Sequence, residues 1–227
     1  MDYDVFEEVE DKGQETIGSR WVVTEKEKHD GQKLKTKARI VARGFQETMK
    51  PQSDSPTVSK ESFKILMAIS ANENFKLASV DIRAAFLQSR TLDRDVFMLP
   101  PADIKKPGII WRLKKPLYGL DDASRKFWLR VKEVLKKMGL KVLEGDEAFY
   151  YLHKDGKLIG AVITHVDDFT LAGTEDFVND VIKTVAEELT VSKIERENFR
   201  YTGIDVKTVE DGVEIDMQDY VDSLEEV

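Results

Sequence analysis

The chain is 227 residues long, 41% hydrophobic and 34% charged, which suits one or two domains with a buried core. It has no cysteine, so disulfides and thiolate zinc centres are excluded, and no apolar run approaches the roughly 20 residues of a membrane span. The net charge of −8 argues against a polyanion partner until its distribution is considered.

Acid is concentrated between residues 2 and 15 and between 205 and 226, whereas 26–43 and 105–141 are basic. Patches rather than totals make an electrostatic footprint for nucleic acid, and 105–141 is a candidate path for it. The acidic start has no apolar core and is not a signal peptide, so a soluble, intracellular protein is expected.

Residues 1–18 read as an irregular lead-in. Arg20–Thr24 and Lys35–Arg43 alternate as two strands around the turn signal His29-Asp30-Gly31-Gln32, giving a cationic hairpin. Ser59 or Ser62 caps a helix through Ile69 that ends near Asn72–Asn74. Phe75–Ile82 is a core strand carrying Asp81 at its end. Val96–Leu99 and Ile109–Leu113 are short strands, and Ala123–Met138 is an amphipathic helix stopped by Gly139. Phe149–Leu152 and Leu158–His165 make a hairpin, Glu175–Leu189 a second amphipathic helix, and Phe199–Val206 with Val213–Met217 a last hairpin. A final helix begins at Asp219. Helices against antiparallel strands make this an α+β chain, with helices on one face of the sheet.

The centre of the pattern is Ile163-Thr164-His165-Val166-Asp167-Asp168-Phe169, read as a strand, a tight turn over Val166–Phe169 and a returning strand. Adjacent carboxylates repel and raise a pKa unless a positive charge sits between them. A hard divalent cation such as Mg2+ supplies that charge through oxygen ligands. A solvated turn is the plain alternative for the pair, as a helix N-cap is for Asp81. On neighbouring central strands the three aspartates would form a two-metal centre for phosphoryl transfer.

Several stretches recur together in one known order: Arg20-Trp21-Val22, Thr36–Phe45 (TKARIVARGF), Val80–Leu87 (VDIRAAFL), Leu117-Tyr118-Gly119-Leu120 with Ala123-Ser124-Arg125 and Trp128, His165-Val166-Asp167-Asp168, and Thr202-Gly203-Ile204. With them the chain resembles the reverse transcriptase of Pol polyproteins from copia-type LTR retrotransposons, and more distantly retroviral reverse transcriptases. The likeness runs from about residue 3 to 227.

It implies the fingers and palm of a right-hand polymerase. Residues 1–80 are then mostly fingers, with the hairpin 20–43 and the helix 59–72. Residues 81–206 are mostly palm, with a fingers return at about 96–120, and 207–227 are the palm edge and the start of a thumb. The implied activity is RNA-directed DNA synthesis, adding dNTPs to a primer 3′-hydroxyl on an RNA or DNA template. Asp81, Asp167 and Asp168 would be catalytic. With the carbonyl of Ile82 they would bind two Mg2+, or Mn2+ in their place. Lys37 and Arg39 would clamp the triphosphate, with Arg83 and the amides of Ala84 and Ala85 beside it. Phe86 would exclude a ribose 2′-hydroxyl, or be an ordinary core ring, and Tyr118 and Gly119 would support the nucleotide. His165, Thr202 and Gly203 would hold the primer.

Two departures stand out. His165 replaces the family's usual tyrosine, and Tyr118 differs from retroviral relatives. The remaining Pol regions (RNase H, integrase, and all but the start of a thumb at Asp219–Val227) are expected to be missing, which would make the chain a fragment, a truncated chain or a domesticated remnant. The family implies cytoplasmic virus-like particles or the nucleus as location. Two other readings stand beside it: a catalytically weak or inactive domesticated module that binds nucleic acid, and a palm-fold nucleotide cyclase, which would share the carboxylates but need not have the hairpin 20–43.

Overall fold

The computed structural model describes residues 3–26 and 35–224. In chain order it contains β1 (Phe6–Glu10), β2 (Thr16–Ile17), β3 (Ser19–Lys26), β4 (Lys35–Ala42), α1 (Lys60–Glu73), β5 (Lys76–Ile82), β6 (Phe97–Met98) and β7 (Ile109–Leu113). Then come α2 (Ala123–Lys137), β8 (Lys141–Leu143), β9 (Asp146–Lys154), β10 (Lys157–His165), β11 (Asp168–Gly173) and α3 (Glu175–Glu188). The chain closes with β12 (Val191–Arg196), β13 (Asn198–Tyr201), β14 (Ile204–Val209), β15 (Gly212–Asp216) and α4 (Gln218–Asp222). The expected turn at His29–Gln32 and the end of the last helix, 225–227, lie outside the described residues.

Two compact units result, one of residues 1–54 and 86–130, the other of 55–85 and 131–227. The first holds the β3–β4 hairpin and a four-stranded sheet in the order β1-β7-β6-β2. Its core gathers Ile17, Ala42, Val96, Met98, Trp111, Leu113, Leu117 and Leu120.

The lead-in expected to be irregular is therefore partly strand. β1 pairs antiparallel with β7, setting Glu7 against Arg112. Its acid-rich sequence hides the pattern, because those acids face cations: Glu8 takes Lys106 at 2.7 Å and Glu7 takes Arg112 at 3.0 Å. The ring of Phe6 stacks on Trp111, with centroids 3.9 Å apart.

The second unit is built on a six-stranded antiparallel sheet in the order β12-β5-β11-β10-β9-β8, with a separate three-stranded sheet β13-β14-β15. One face of the large sheet receives α3: a Cβ on Gly160 or Gly173 would strike the ring of Phe177 at 2.3 or 2.5 Å. Only glycine lets that ring reach the strands. On the other parity Leu77, Ala161, Ile163 and Ala172 join Phe63, Leu66 and Met67 of α1 and Phe199, Tyr201 and Val206 of the small sheet. Side-chain caps fix both helix starts: Ser59 accepts from the Ser62 amide, and Thr174 from that of Phe177.

The helix near 59–72 lies in the second unit, its buried face packed on Leu77 and its neighbours. Two expectations need correction. The run 199–206 is two strands rather than one, broken where Thr202 (φ +47°) and Gly203 (φ +88°) reverse the chain. Strands β8 and β12 were not foreseen, being short or charged; they pair with β9 and β5.

Candidate active site

Strand β5 runs from Lys76 to Ile82 and lies beside β11, so that Asp168 is directly opposite Asp81. Residues opposed in this way have Cα atoms about 4.5–5.5 Å apart. Asp167 stands in the two-residue turn between His165 and Asp168, which are themselves paired. The turn is thus Val166-Asp167, shorter than expected, and Asp168 already belongs to the strand. Val166 takes φ +55°, a conformation unfavourable for a β-branched residue. The amide of Ile82 donates to the carbonyl of Asp167 at 2.9 Å, tying the strand end to the turn.

The electrostatics follow from that crowding. Burial, then the charges of Asp167 and Asp81, push the Asp168 carboxyl up to about 6, while His165 acts in the opposite sense. Ser192 on β12 hydrogen-bonds to the Asp81 carboxylate and, at 3.2 Å, to its carbonyl. Lys193 is paired with Asp81 in register and bridges to Glu195 at 2.8 Å. Among the described residues no three acidic, histidine or cysteine side chains are already gathered as a metal cage. The donor set still suits a hard divalent cation: carboxylate oxygens in negative excess, on adjacent strands.

Ser192 and Lys193 were missed in the sequence, since Val-Ser-Lys-Ile-Glu-Arg carries no clean alternation. Tyr201 was missed too. Its ring meets His165 edge-on at 6.5 Å and stacks on Phe63 at 5.3 Å. Its buried hydroxyl has no hydrogen-bond partner, and burial raises its pKa. Thr202 and Gly203 follow as the central residues of the β13–β14 turn, both at positive φ. Also in this unit, the Arg83 amide donates to Thr190 at 2.9 Å, Ala84 turns at φ +48°, and Ala85 is buried.

The remaining nucleotide candidates lie in the first unit. The Arg39 guanidinium sits 5.3 Å from the centroid of the Tyr118 ring. Tyr118 in turn meets Phe86 edge-to-face, with centroids 4.8 Å apart. The buried Nε of Arg39 has no hydrogen-bond partner. Lys37 is exposed. Backbone bonds hold the stack: Ala42 N–H donates to Tyr118 O at 2.7 Å and Gly44 N–H to Gly119 O at 3.1 Å. The crossing requires glycine, since a Cβ on Gly119 (φ +91°) would lie 2.1 Å from the Ala42 carbonyl.

The basic stretch 105–141 is largely paired. Lys106 holds Glu8, Arg112 holds Glu7 and Asp95, Lys114 holds Asp4, and Arg125 holds Asp54, all within 3.0 Å. Lys126, Lys132 and Lys137 hold Asp93, Glu147 and Glu188 over the same range. A nucleic acid on this stretch would compete with those carboxylates for its cations.

Comparisons with known proteins bear on the family and the fold. The retrovirus-related Pol polyprotein from transposon RE1 of Arabidopsis thaliana is 28% identical over 214 residues, covering 90% of this chain and 14% of that protein. The corresponding polyprotein from transposon TNT 1-94 of Nicotiana tabacum is 24% identical over 170 residues, covering 72% and 13%. The chain therefore spans about a seventh of the length of these relatives. Among solved structures, a foamy viral protease-reverse transcriptase in complex with double-stranded DNA superposes with TM-score 0.50 at 12% identity, over 97% of this chain and 34% of that one. Telomerase from Candida albicans gives 0.52 at 7% identity, over 92% and 48%. These likenesses establish the right-hand polymerase fold. The family model for reverse transcriptase (RNA-dependent DNA polymerase) matches residues 3–226, and the chain belongs to that family, in the branch found in Pol polyproteins of copia-type retrotransposons.

Proposed function

We propose that the chain is the catalytic core of an RNA-directed DNA polymerase, extending a primer on an RNA or DNA template by nucleotidyl transfer from dNTPs. The observation that carries this reading is the placement of Asp81 opposite Asp168, with Asp167 in the adjoining turn. Nucleotidyl transfer needs negative oxygen donors where a primer hydroxyl attacks the α-phosphorus and pyrophosphate leaves.

Asp81 and Asp167, with Asp168 beside them and the Ile82 carbonyl, would hold two Mg2+. Ions held by these residues would supply Lewis acidity, lowering the pKa of the primer hydroxyl and neutralising charge on the pyrophosphate. Ser192 orients the Asp81 carboxylate through its hydrogen bond. His165, Thr202 and Gly203 seat the primer end. Arg39, with its unpartnered Nε, binds triphosphate oxygens through its forked donors. Lys37, on the same strand as Arg39, adds a second cation. In the other unit, Arg83 and the amides of Ala84 and Ala85 serve as nucleotide-binding donors. Phe86 screens the sugar, with Tyr118 and Gly119 supporting the nucleotide.

Primer extension with Mg2+, comparing the wild type with Asp167→Asn, tests this reading. Extension is expected from the wild type only.

A further inference from the structure

Arg112 on β7 and Lys114 at its end open into one cleft of about 560 Å3 in the first unit, lined also by Asp4, Glu7, Asp95 and Lys115. Arg112 is held from two sides, by Glu7 of β1 at 3.0 Å and by Asp95 at 2.7 Å. Lys114 is held by Asp4 at 2.9 Å and by Glu7 at 3.8 Å. Backbone bonds keep the acids there. The amides of Lys114 and Lys115 donate to the Val5 carbonyl at 2.8 and 3.2 Å, and that of Leu113 to the Val96 carbonyl at 2.8 Å. Arg112, Asp4 and Asp95 are exposed, and ion pairs in water add little to a fold. Their larger effect is on what else approaches, since a phosphate entering the cleft must displace a carboxylate from each cation it takes.

From this we infer that the acidic lead segment is an internal substitute for phosphate. Asp4 and Glu7 occupy Lys114 and Arg112 and so keep nucleic acid off this face of the first unit. The inference goes beyond the polymerase reading and does not need it, because the same exclusion applies to any polyanion. The strand supplies its own control. Glu8 lies on the opposite face of β1 by strand alternation, takes Lys106 at 2.7 Å, and does not line the cleft; Glu10 shares its parity.

The test is binding of a short fluorescein-labelled DNA duplex by the full chain, read by anisotropy from about 50 to about 200 mM NaCl. Asp4→Asn/Glu7→Gln is expected to bind roughly tenfold more tightly at the low-salt end. Its salt slope should steepen by about 0.9 for each cation freed. Glu8→Gln/Glu10→Gln carries the same change of charge and should shift binding by less than about twofold, because screening limits an effect that is not local. Adding Arg112→Gln and Lys114→Gln to the first variant should return it to the wild-type affinity. If circular dichroism shows Asp4→Asn/Glu7→Gln unfolded, Asp4→Asn alone takes its place, with a gain of roughly threefold expected from Lys114.

Equal gains in the two charge-matched variants overturn the inference, since net charge alone then accounts for them. Unchanged affinity and slope in the folded Asp4→Asn/Glu7→Gln protein overturn it too, being the result if these pairs only hold the segment in place. A gain that survives the loss of Arg112 and Lys114 does the same. Primer extension is scored separately: its failure removes the polymerase reading and leaves the binding ratios to decide this inference.

Discussion

Asp81 and Asp168 oppose one another across the β5–β11 ladder, although 87 positions separate them in the chain. Two carboxylates so placed, with Asp167 beside them, oppose folding at neutral pH. The cost is met by the apolar strands beneath, where Val80, Phe169 and Leu171 are fully buried.

A pH dependence follows. The folded carboxyl of Asp168 sits at about 6, above its ordinary value of 3.8. Between those values the folded chain binds more protons than the unfolded one, so stability falls as pH rises through this window. Asp168→Asn is therefore expected to raise stability above pH 6 by about 1 kcal/mol, allowing for solvent screening. The gain should vanish below about pH 4. Chemical denaturation at pH 4 and pH 7.5 measures it.

Mg2+ should act in the same direction on the wild type. At ten times its dissociation constant an ion bound only by the folded chain adds about 1.4 kcal/mol. Thermal unfolding at pH 7.5 should show a rise in Tm that shrinks in Asp81→Asn. An equal rise in both proteins would place the ion elsewhere.

Much of this arrangement was legible in the sequence. Gly160–His165 is an apolar, β-branched run ending at the aspartates, and Lys76–Ile82 is a second such run with its carboxylate near the end, so both strands announced themselves. The register that sets Asp81 against Asp168 was only inferred, because pairing is decided by the packing of α1 and α3 on the two faces. Other features left no local trace. Phe6–Glu10 is a strand because Lys106 and Arg112 neutralise its acids, and Val191–Arg196 because β5 needs a neighbour. Arg39, Tyr118 and Phe86 come from three distant segments, joined by ring contacts and by the backbone bonds from Ala42 and Gly44 to Tyr118 and Gly119, which no spacing encodes.

The glycine crossing gives a strong stability prediction. A Cβ on Gly44 would meet the Gly119 carbonyl at 2.3 Å, and Gly119 also needs its positive φ. Either glycine replaced by alanine should cost about 3 kcal/mol or more, since backbone must move. Urea unfolding of Gly119→Ala, compared with Gly108→Ala, where a Cβ would meet nothing within 4 Å, separates close approach from φ strain.

A buried ion cluster gives another. Arg94 bridges Glu47 at 2.8 Å and Asp122 at 2.5 Å, with Asp122 only 1% exposed. Arg94→Ala leaves two buried carboxylates without their cation and should cost about 3–5 kcal/mol. Asp122→Asn in the same background should recover part of that loss at pH 7, as read by urea midpoints.

The most direct test of the whole account is the rate of one dTTP insertion on an oligo(dT)-primed poly(rA) template with Mg2+, for the wild type and for Asp81→Asn. The account predicts insertion by the wild type and a fall of roughly a thousandfold or more in the folded variant, the scale expected when a charge stabilising the transition state is lost. Equal insertion by both proteins, or none by a folded wild type, would contradict it.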